Sequence, residues 1–351
     1  MDKSYFKRVH SLTGTKFWIN NVTKEEARLA IEFGAVGCTQ NPSFTWRIIN
    51  HPVEGPLAQD LIDRTIKKCA DNNEVECLVQ AQLIKEVSDI FMPMWESTKG
   101  KYGYVSIQGD PIHEEDPQVI ISEGRRNREL NPNIMIKIPA TKAGLEAMEV
   151  LIAENTPINA TEVMGIGQAL DVCKLYARVS EQTGKKPAIY YSLITGIYDE
   201  YLKKQIQKDK IDITEDFVDM AGMIIAKKVY AITKAHYPEV GYIGGGMRGL
   251  QHFTEMVGAD VCITMNWVGH AEELIKQNAP VVPRFFNPVP DNYLEALLLK
   301  VPDFQKAYFE NGLTIEQYEH FGPVEYFRDM FVSSWNNGIK FIEQRRKELN
   351  K

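Results

Sequence analysis

Short apolar runs alternate with longer amphipathic stretches along most of the chain. The runs place apolar residues on both faces of a strand, which is typical of strands buried in a parallel sheet. The stretches between them repeat apolar residues every three or four positions, as in Leu83, Val87, Ile90 and Met94, and this is the period of a helix with one buried face. The predicted strands are 16–20, 35–40, 102–108, 133–141, 157–163, 188–193, 241–244 and 261–265.

Capping signals locate helices between these strands. Thr23 with Glu26 forms a capping box at the start of one helix, and Asp116 with Pro117 supplies the N-cap and first residue of another. A polar insertion is expected around 203–212. The predicted helices start at 24, cover the stretch after the second strand up to Asn73, and then span 80–96, 117–130, 142–154, 167–183 and 214–236.

Eight strand–helix repeats predict an α/β fold, a (β/α)8 TIM barrel. A doubly wound open sheet also alternates strands and helices, but the repeat number and the polar strand ends favour the barrel. After residue 278 four prolines mark a loop, and the remainder is helical and rich in aromatic residues. We therefore predict a barrel domain over 1–278 and a C-terminal helical extension over 279–351 that packs on the barrel. The sequence leaves open whether the extension covers the barrel mouth or forms the interface of a homo-oligomer.

Composition narrows the function classes. The 351 residues are 44% hydrophobic and 25% charged, with a net charge of −7, so no basic surface for nucleic acid is expected. The first residues lack the apolar core of a signal peptide, and no run approaches the ~20 apolar residues of a membrane span. The five cysteines lack CxxC spacing and are expected to be buried thiols. We expect a cytoplasmic protein that does not bind membranes.

One lysine, Lys137, lies inside the strongly apolar fourth strand, between Ile136 and Ile138. Burying an ammonium is costly, so the group must find a partner, reach water or lower its pKa. A lysine with a lowered pKa is an amine nucleophile that forms imines with carbonyl compounds. The alternative is a lysine at a strand end whose charge reaches solvent.

The residues at the ends of the predicted strands are mostly uncharged hydrogen-bonding groups around that one lysine. In a (β/α)8 barrel the active site lies at the C-terminal ends of the strands. Such a lining suits a polyhydroxy compound with a carbonyl, and a whole set of polar ends is not explained by helix capping alone. The set is Asn20, Asn41, Gln108, Lys137, Asn159, Thr161, Ser192 and Arg248.

Three motifs resemble those of the transaldolase family of class I Schiff-base aldolases. Residues 37–43, Gly-Cys-Thr-Gln-Asn-Pro-Ser, resemble the TTNPS motif of the family's second strand. Residues 134–141 resemble the family's lysine strand, IKIPAT, and residues 158–161 resemble its fifth-strand motif. The resemblance runs in order from Lys16 to about Leu274, and it implies a barrel with the Schiff-base lysine on the fourth strand.

The resemblance implies a transaldolase that moves a dihydroxyacetone unit between a ketose or ketose phosphate and an aldose, as in the pentose phosphate pathway. Lys137 would form the imine, which acts as electron sink while the C3–C4 bond breaks, so no metal or cofactor is expected. Asn41, Asn159 and Ser192 would bind hydroxyl groups of the unit. Thr161 would help to hold a catalytic water.

Two family carboxylates are replaced by amides in this chain. Transaldolases carry an aspartate on the first strand and a glutamate on the third, where this sequence has Asn20 and Gln108. An amide cannot accept and return a proton as a carboxylate does. We therefore predict an altered proton relay, using a water on Gln108 and Thr161. The related fructose-6-phosphate aldolases also carry glutamine on the third strand and use a sixth-strand tyrosine, for which Tyr190 is a candidate substitute.

The anion contacts of the family are also incomplete. Ile197 stands where the family has an arginine for the substrate phosphate, whereas Arg248 retains the second arginine in a glycine-rich turn after the seventh strand. Such a turn is the usual phosphate site of a barrel. The sequence favours a phosphorylated or otherwise anionic sugar. The alternatives are an aldolase acting on a modified or differently charged six-carbon sugar, such as a sulfonated one, and a non-catalytic sugar-binding barrel.

Overall fold

Eight parallel strands close into a barrel. In the computed structural model, which describes residues 4–350, each strand pairs with its neighbour in sequence, and the last strand pairs with the first. The predicted (β/α)8 barrel is thus confirmed over the open sheet. The strands are β1 (Lys16–Asn20), β2 (Ala35–Gln40), β3 (Tyr104–Gln108), β4 (Ile134–Pro139), β5 (Ile158–Val163), β6 (Ile189–Leu193), β7 (Gly241–Gly244) and β8 (Cys262–Met265).

Helices surround the barrel, and four more follow it. Within residues 4–350 none of them is both long enough and apolar enough to cross a bilayer. The first group is α1 (Tyr5–Leu12), α2 (Lys24–Phe33), α3 (Phe44–Ile49), α4 (Gly55–Ile66), α5 (Asn72–Ser97), α6 (Pro117–Arg128), α7 (Lys142–Ala153), α8 (Ile166–Thr183), α9 (Thr195–Asp209), α10 (Glu215–Val218), α11 (Ala221–His236), α12 (Gln251–Thr254) and α13 (Glu272–Gln277). The C-terminal group is α14 (Asp291–Lys300), α15 (Pro302–Tyr308), α16 (Ile315–Tyr318) and α17 (Gly322–Leu349).

Two helix predictions around the sixth strand-to-helix connection are wrong in their bounds. Most of the expected polar insertion around 203–212 is instead the end of α9, which runs to Asp209 and which Leu202 and Ile206 pack against the core. The expected single helix over 214–236 is two helices, α10 and α11. The second one starts anew because the Asp199 carboxylate accepts a hydrogen bond from the Gly222 amide in its first turn, at 2.6 Å.

Two further helix boundaries differ from the prediction. The helical stretch after β2 is broken into α3 and α4 by a turn that contains Pro52. The helix expected from residue 80 begins at Asn72, because the Asp71 side chain caps it by accepting from the Glu74 amide at 2.7 Å. The capping signals at Thr23 and Asp116 are confirmed.

The barrel interior changes from apolar to polar along the strands. A lower layer of buried side chains, which includes Trp18, Tyr104, Met135 and Cys262, fills the N-terminal end of the barrel. Because alternate residues of a strand share a face, the next inward layer lies two positions further on. That layer is polar and includes Asn20, Ser106, Lys137, Ser192 and Thr264. The polar layer therefore lies at the C-terminal mouth, on an apolar floor.

The last helix, α17, crosses that mouth. Its buried residues Val324, Phe327, Phe331 and Trp335 recur every three or four positions and give it one apolar face. The helix packs on α3, α4, α5, α9 and the end of β5. Trp335 also donates from Nε1 to the Asn73 side chain at 2.7 Å. The C-terminal helical extension predicted from the sequence is confirmed, and its last helix covers the mouth.

Candidate active site

Lys137 lies at the bottom of a cavity of about 170 Å³ in the barrel mouth. Only 6% of its surface is exposed, and its Nζ donates a hydrogen bond to the Asn41 side-chain oxygen. The ring centroid of Phe331, on α17, lies 5.7 Å from Nζ. Burial lowers the pKa of Lys137 to about 7, against the opposing charge of Glu162. Lys137 is therefore almost wholly buried and not exposed at a strand end, and its burial disfavours the charged form of the amine.

Asn20 and Asn41 form a chain of amides that ends on the lysine. The Asn41 side chain donates from Nδ2 to Asn20 Oδ1 at 3.0 Å, which directs its own oxygen to Lys137. Asn20 Oδ1 also accepts from the Thr39 hydroxyl at 2.8 Å, and its Nδ2 donates to Asn266 Oδ1 at 2.8 Å. Asn20 is thus held by three hydrogen bonds and sets the orientation of the group that contacts the amine.

Asn159 and Ser192 lie side by side on the next strands. The Ser192 hydroxyl donates to Asn159 Oδ1 at 2.7 Å, and Asn159 Nδ2 donates to the Ser106 hydroxyl at 3.4 Å. Asn159 is the register partner of Lys137 in the β4–β5 pairing. Thr161, also on β5, is fully buried, and its hydroxyl has no hydrogen-bond partner among residues 4–350.

Gln108 pairs with a carboxylate that the sequence did not single out. Its Nε2 donates to Glu162 Oε1 at 2.9 Å, and both side chains are buried. Glu162 follows Thr161 at the end of β5, where the pairing with β6 shifts register between Ala160 and Val163. Strand alternation would turn the side chain of Glu162 toward the surrounding helices, so only this irregularity brings it to Gln108.

Two more charged groups lie near Glu162. Glu114, in the loop after β3, is buried, and burial together with the charge of Glu162 raises the pKa of its carboxyl well above the usual range. Arg328 reaches the same region from α17, with its Nε 3.9 Å from Glu114 Oε1. Burial also raises the pKa of the Glu162 carboxyl, against the hydrogen bond from Gln108 and the positive charges of Lys137 and Arg328.

The far end of the cavity is largely apolar. Ile194, Ile197 and Met247 line it together with Arg248. Arg248 donates from Nε to the carboxylate of Glu200, so its charge already has a partner. Gly246 has a φ of +68°, and an added Cβ there would lie 2.6 Å from Ile194 Cγ2, so the turn requires glycine.

Only some of the predicted residues line the mouth cavity. Asn20, Asn41, Lys137, Ser192 and Arg248 line the mouth cavity. Gln108, Asn159 and Thr161 lie behind that lining, fully or almost fully buried. Tyr190 is not a substitute for a site tyrosine, because it lies in the lower layer against Trp18, with ring centroids 5.6 Å apart. Tyr190 lies two residues before Ser192 on the same face of β6. It is therefore one layer deeper in the barrel and outside the site.

Several site residues had no signal in the sequence. Glu162 is one residue past a recognised motif, and Phe331, Met330 and Arg328 come from the distant extension. The aromatic content of that extension was visible, but which ring would cover the lysine was not. Thr264 and Asn266 could have been found, since they stand two residues apart at the end of the eighth strand, like the other polar strand ends.

Comparison with known proteins gives one family. The family model described as Transaldolase/Fructose-6-phosphate aldolase matches residues 17–287. A Transaldolase of Trichodesmium erythraeum is 29% identical over 246 residues, which cover 62% of this chain and 63% of the relative. Transaldolase 1 of Streptomyces avermitilis is 30% identical over 171 residues, 46% of this chain and 44% of the relative. A Transaldolase of Mycobacterium tuberculosis is 28% identical over 235 residues, 63% of this chain and 62% of the relative. The chain thus spans between 44% and 63% of the length of these relatives.

Proposed function

Since the chain belongs to the transaldolase and fructose-6-phosphate aldolase family, we propose that it is a transaldolase. It takes a dihydroxyacetone unit from a ketose donor, holds the unit on Lys137 and passes it to an aldose acceptor. The observation that carries this proposal is the buried Lys137 amine at the base of the mouth cavity. With a pKa lowered to about 7, much of that amine is neutral and nucleophilic at neutral pH.

The reaction begins when the neutral amine attacks C2 of the ketose, and loss of water gives a protonated imine. This cation accepts the electron pair of the C3–C4 bond while the C4 hydroxyl loses its proton, and an aldehyde leaves. The three remaining carbons stay on Lys137 as an enamine, which attacks the carbonyl of the acceptor. Hydrolysis of the new imine then frees the product and regenerates the lysine.

The surrounding side chains have roles in the same proposal. Asn41, Asn159 and Ser192 bind hydroxyl groups of the three-carbon unit, because all three present hydrogen-bonding groups beside Lys137. Asn20 keeps the Asn41 amide in the orientation that faces the amine. Gln108 and Thr161 help to hold the water that enters and leaves during imine formation.

The pairing of Arg248 favours a second candidate substrate class for the same chemistry. Its guanidinium is already bonded to Glu200, and Ile197, which lines the same end of the cavity, provides no charge. A ketose that lacks a terminal phosphate would lose little binding free energy at such a site. The second candidate is therefore an aldolase or transaldolase that acts on a six-carbon sugar with an uncharged or differently charged end.

Borohydride reduction tests the imine. The protein is incubated with fructose 6-phosphate, or with dihydroxyacetone as a probe without phosphate, and reduced, and the modified peptide is identified by mass spectrometry. We expect a three-carbon adduct on Lys137 and none in Lys137→Ala. If Lys137 stays unmodified with both compounds, the transaldolase and aldolase hypotheses are excluded, and the non-catalytic sugar-binding barrel remains.

Product analysis then separates transfer from cleavage. With fructose 6-phosphate and erythrose 4-phosphate, a transaldolase forms sedoheptulose 7-phosphate. Free dihydroxyacetone without the seven-carbon product would indicate an aldolase. The same pair of assays with fructose as donor tests the uncharged substrate class.

A further inference from the structure

We infer that Glu162 is the general acid–base group of this active site and supplies the carboxylate that positions 20 and 108 lack. The inference rests on the proposed function, because it assigns a proton-transfer role within that reaction. Asn20 and Gln108 are amides and cannot exchange a proton at neutral pH. Among residues 4–350, Glu162 is the carboxylate that both hydrogen-bonds a residue of the predicted relay and interacts electrostatically with Lys137.

The backbone turns Glu162 toward the site at a conformational cost. Its φ is +57°, in the left-handed region that few residues other than glycine adopt. The β5–β6 register shows one extra residue on β5 between Ala160 and Val163, which is the signature of a β-bulge. Strained non-glycine residues cluster at active sites, where the surrounding structure holds them in place.

Because of the bulge, the Glu162 carboxylate reaches Gln108 past the end of β4, the strand that carries Lys137. Gln108 ends β3 and Glu162 lies near the end of β5, and β4 lies between these two strands. The hydrogen bond of 2.9 Å between their side chains therefore spans the C-terminal end of the strand that carries Lys137. This position accounts for the electrostatic interaction between Glu162 and the amine.

Three polar atoms around this bond have no partner among residues 4–350. They are Glu162 Oε2, Gln108 Oε1 and Thr161 Oγ1, and all three are buried. Buried polar atoms are costly unless they bind something. A water molecule, which both donates and accepts hydrogen bonds, is the ligand that would satisfy two acceptors and a hydroxyl in this setting.

The charges around Glu162 suit an exchangeable proton. Lys137, Arg328 and the hydrogen bond from Gln108 favour its carboxylate form, whereas burial favours its protonated form. Glu115 and Glu319 lie beside Arg328 and Glu114 and complete the charged groups that face this cluster. Because these influences oppose one another, neither protonation state of Glu162 is locked, which is the condition for a group that accepts and returns a proton.

Glu162 takes up one proton during cleavage and gives it back during transfer. In cleavage, the Glu162 carboxylate accepts the proton of the substrate's C4 hydroxyl through one water. The C4–O bond becomes a carbonyl, the C3–C4 bond breaks, and its electron pair forms the enamine and neutralises the iminium nitrogen. In the transfer direction, the enamine attacks the acceptor aldehyde, and protonated Glu162 returns its proton to the new alkoxide. Glu162 ends the cycle as it began.

Glu162→Gln tests the assignment, since glutamine keeps the size of the side chain and removes its proton. We expect borohydride trapping of dihydroxyacetone on Lys137 to persist and the turnover of fructose 6-phosphate with erythrose 4-phosphate to fall roughly 10²–10⁴-fold. Glu76→Gln is the matched control, because Glu76 is an equally buried carboxylate on α5 outside the site. It should leave turnover within about twofold of the parent.

Moving the carboxylate gives the decisive variant. In Gln108→Glu/Glu162→Gln the same hydrogen bond can form in the opposite direction, with the carboxylate on β3 and the amide on β5. We expect this double variant to turn over at least ten times faster than Glu162→Gln. It also carries the test if Glu162→Gln alone does not fold, because a folded double variant without turnover would overturn the assignment.

The results of these assays distinguish a failure of the Glu162 assignment from a failure of the transaldolase function. If the parent protein is trapped on Lys137 and turns over, but Glu162→Gln turns over equally, Glu162 has no proton role and the transaldolase proposal stands. If the loss instead follows Glu114→Gln and not Glu162→Gln, the assignment to Glu162 is overturned. If the parent is never trapped on Lys137, the proposed function fails, and this inference fails with it.

Discussion

Asn41 donates a hydrogen bond from its side-chain nitrogen to Asn20 Oδ1, at 3.0 Å, and this bond decides which end of the Asn41 amide meets Lys137. With its nitrogen engaged, Asn41 presents its oxygen to the lysine Nζ. Asn20 is fixed in turn by its donation to Asn266 Oδ1 at 2.8 Å. Either an amide or a carboxylate at position 20 could accept from Asn41, but only an amide can also donate to Asn266, the residue after the eighth strand.

The first prediction concerns the pH dependence of Lys137. Its pKa is lowered to about 7 by burial, so the amine is mostly protonated below pH 7 and mostly neutral above it. The rate of imine formation with dihydroxyacetone should therefore rise as the pH increases through about 7 and level off above pH 8. Borohydride trapping at a series of pH values measures this rate. A midpoint near 10, the range of an exposed lysine, would contradict the buried amine.

The second prediction concerns Asn20→Asp. Aspartate keeps the acceptor for Asn41, loses the donor to Asn266 and adds a negative charge near Lys137. That charge favours the ammonium form, so the pH midpoint of imine formation should move up by about one pH unit. Asn266→Ala is the control, since it removes the same hydrogen bond without adding charge. Equal shifts in both variants would show that the hydrogen bond, and not the charge, sets the midpoint.

The third prediction concerns Phe331 on α17, whose ring lies 5.7 Å from Lys137 Nζ. Phe331→Ala should admit water to the amine, weaken its desolvation and raise the pH midpoint of imine formation. It should also lower the free energy of unfolding by about 3 kcal/mol, as for other buried aromatic truncations. Ile342→Ala on the same helix should lower stability, because Ile342 is fully buried. Ile342 is not part of the mouth lining, so its loss should leave the midpoint unchanged.

The parts of the site that the sequence predicts are those at the ends of regular strands. Lys137, Asn41 and Ser192 are predicted because parallel strands end at the same edge of a barrel and because the sequence around them resembles the family. Glu162 is missed because regular alternation turns its side chain away and only a bulge reverses it. Phe331 was missed because its place over the lysine depends on how α17 crosses the mouth. That packing joins residues almost two hundred positions apart.

The helix predictions show the same limit at a smaller scale. Residues 203–209 are polar enough to suggest an insertion, yet α9 continues through them because Ile206 packs on the core. The break before α11 depends on Asp199, a residue of α9, which accepts a hydrogen bond from the new helix start. Local patterns predict which segments are helical, whereas tertiary contacts decide where a helix begins and ends.

The last prediction concerns substrate charge at the far end of the cavity. The Arg248 guanidinium donates to Glu200, which also accepts from the Tyr326 hydroxyl on α17, so an anionic substrate must compete with a carboxylate for the arginine. Glu200→Gln removes that competing charge, and the Michaelis constant for fructose 6-phosphate should fall about tenfold, which corresponds to about 1.4 kcal/mol. Ile197→Arg should lower the same constant independently, because it adds a second cation to the lining.

The Michaelis constant for fructose, measured on the same variants, is the control, since a neutral sugar gains nothing from a freed guanidinium. A fall for both sugars would indicate that Glu200→Gln reshapes the cavity instead of releasing charge. No change for the phosphorylated sugar in either variant would mean that no phosphate reaches Arg248. That result would favour a donor with an uncharged end, held at this end of the cavity by contacts with Ile194, Ile197 and Met247.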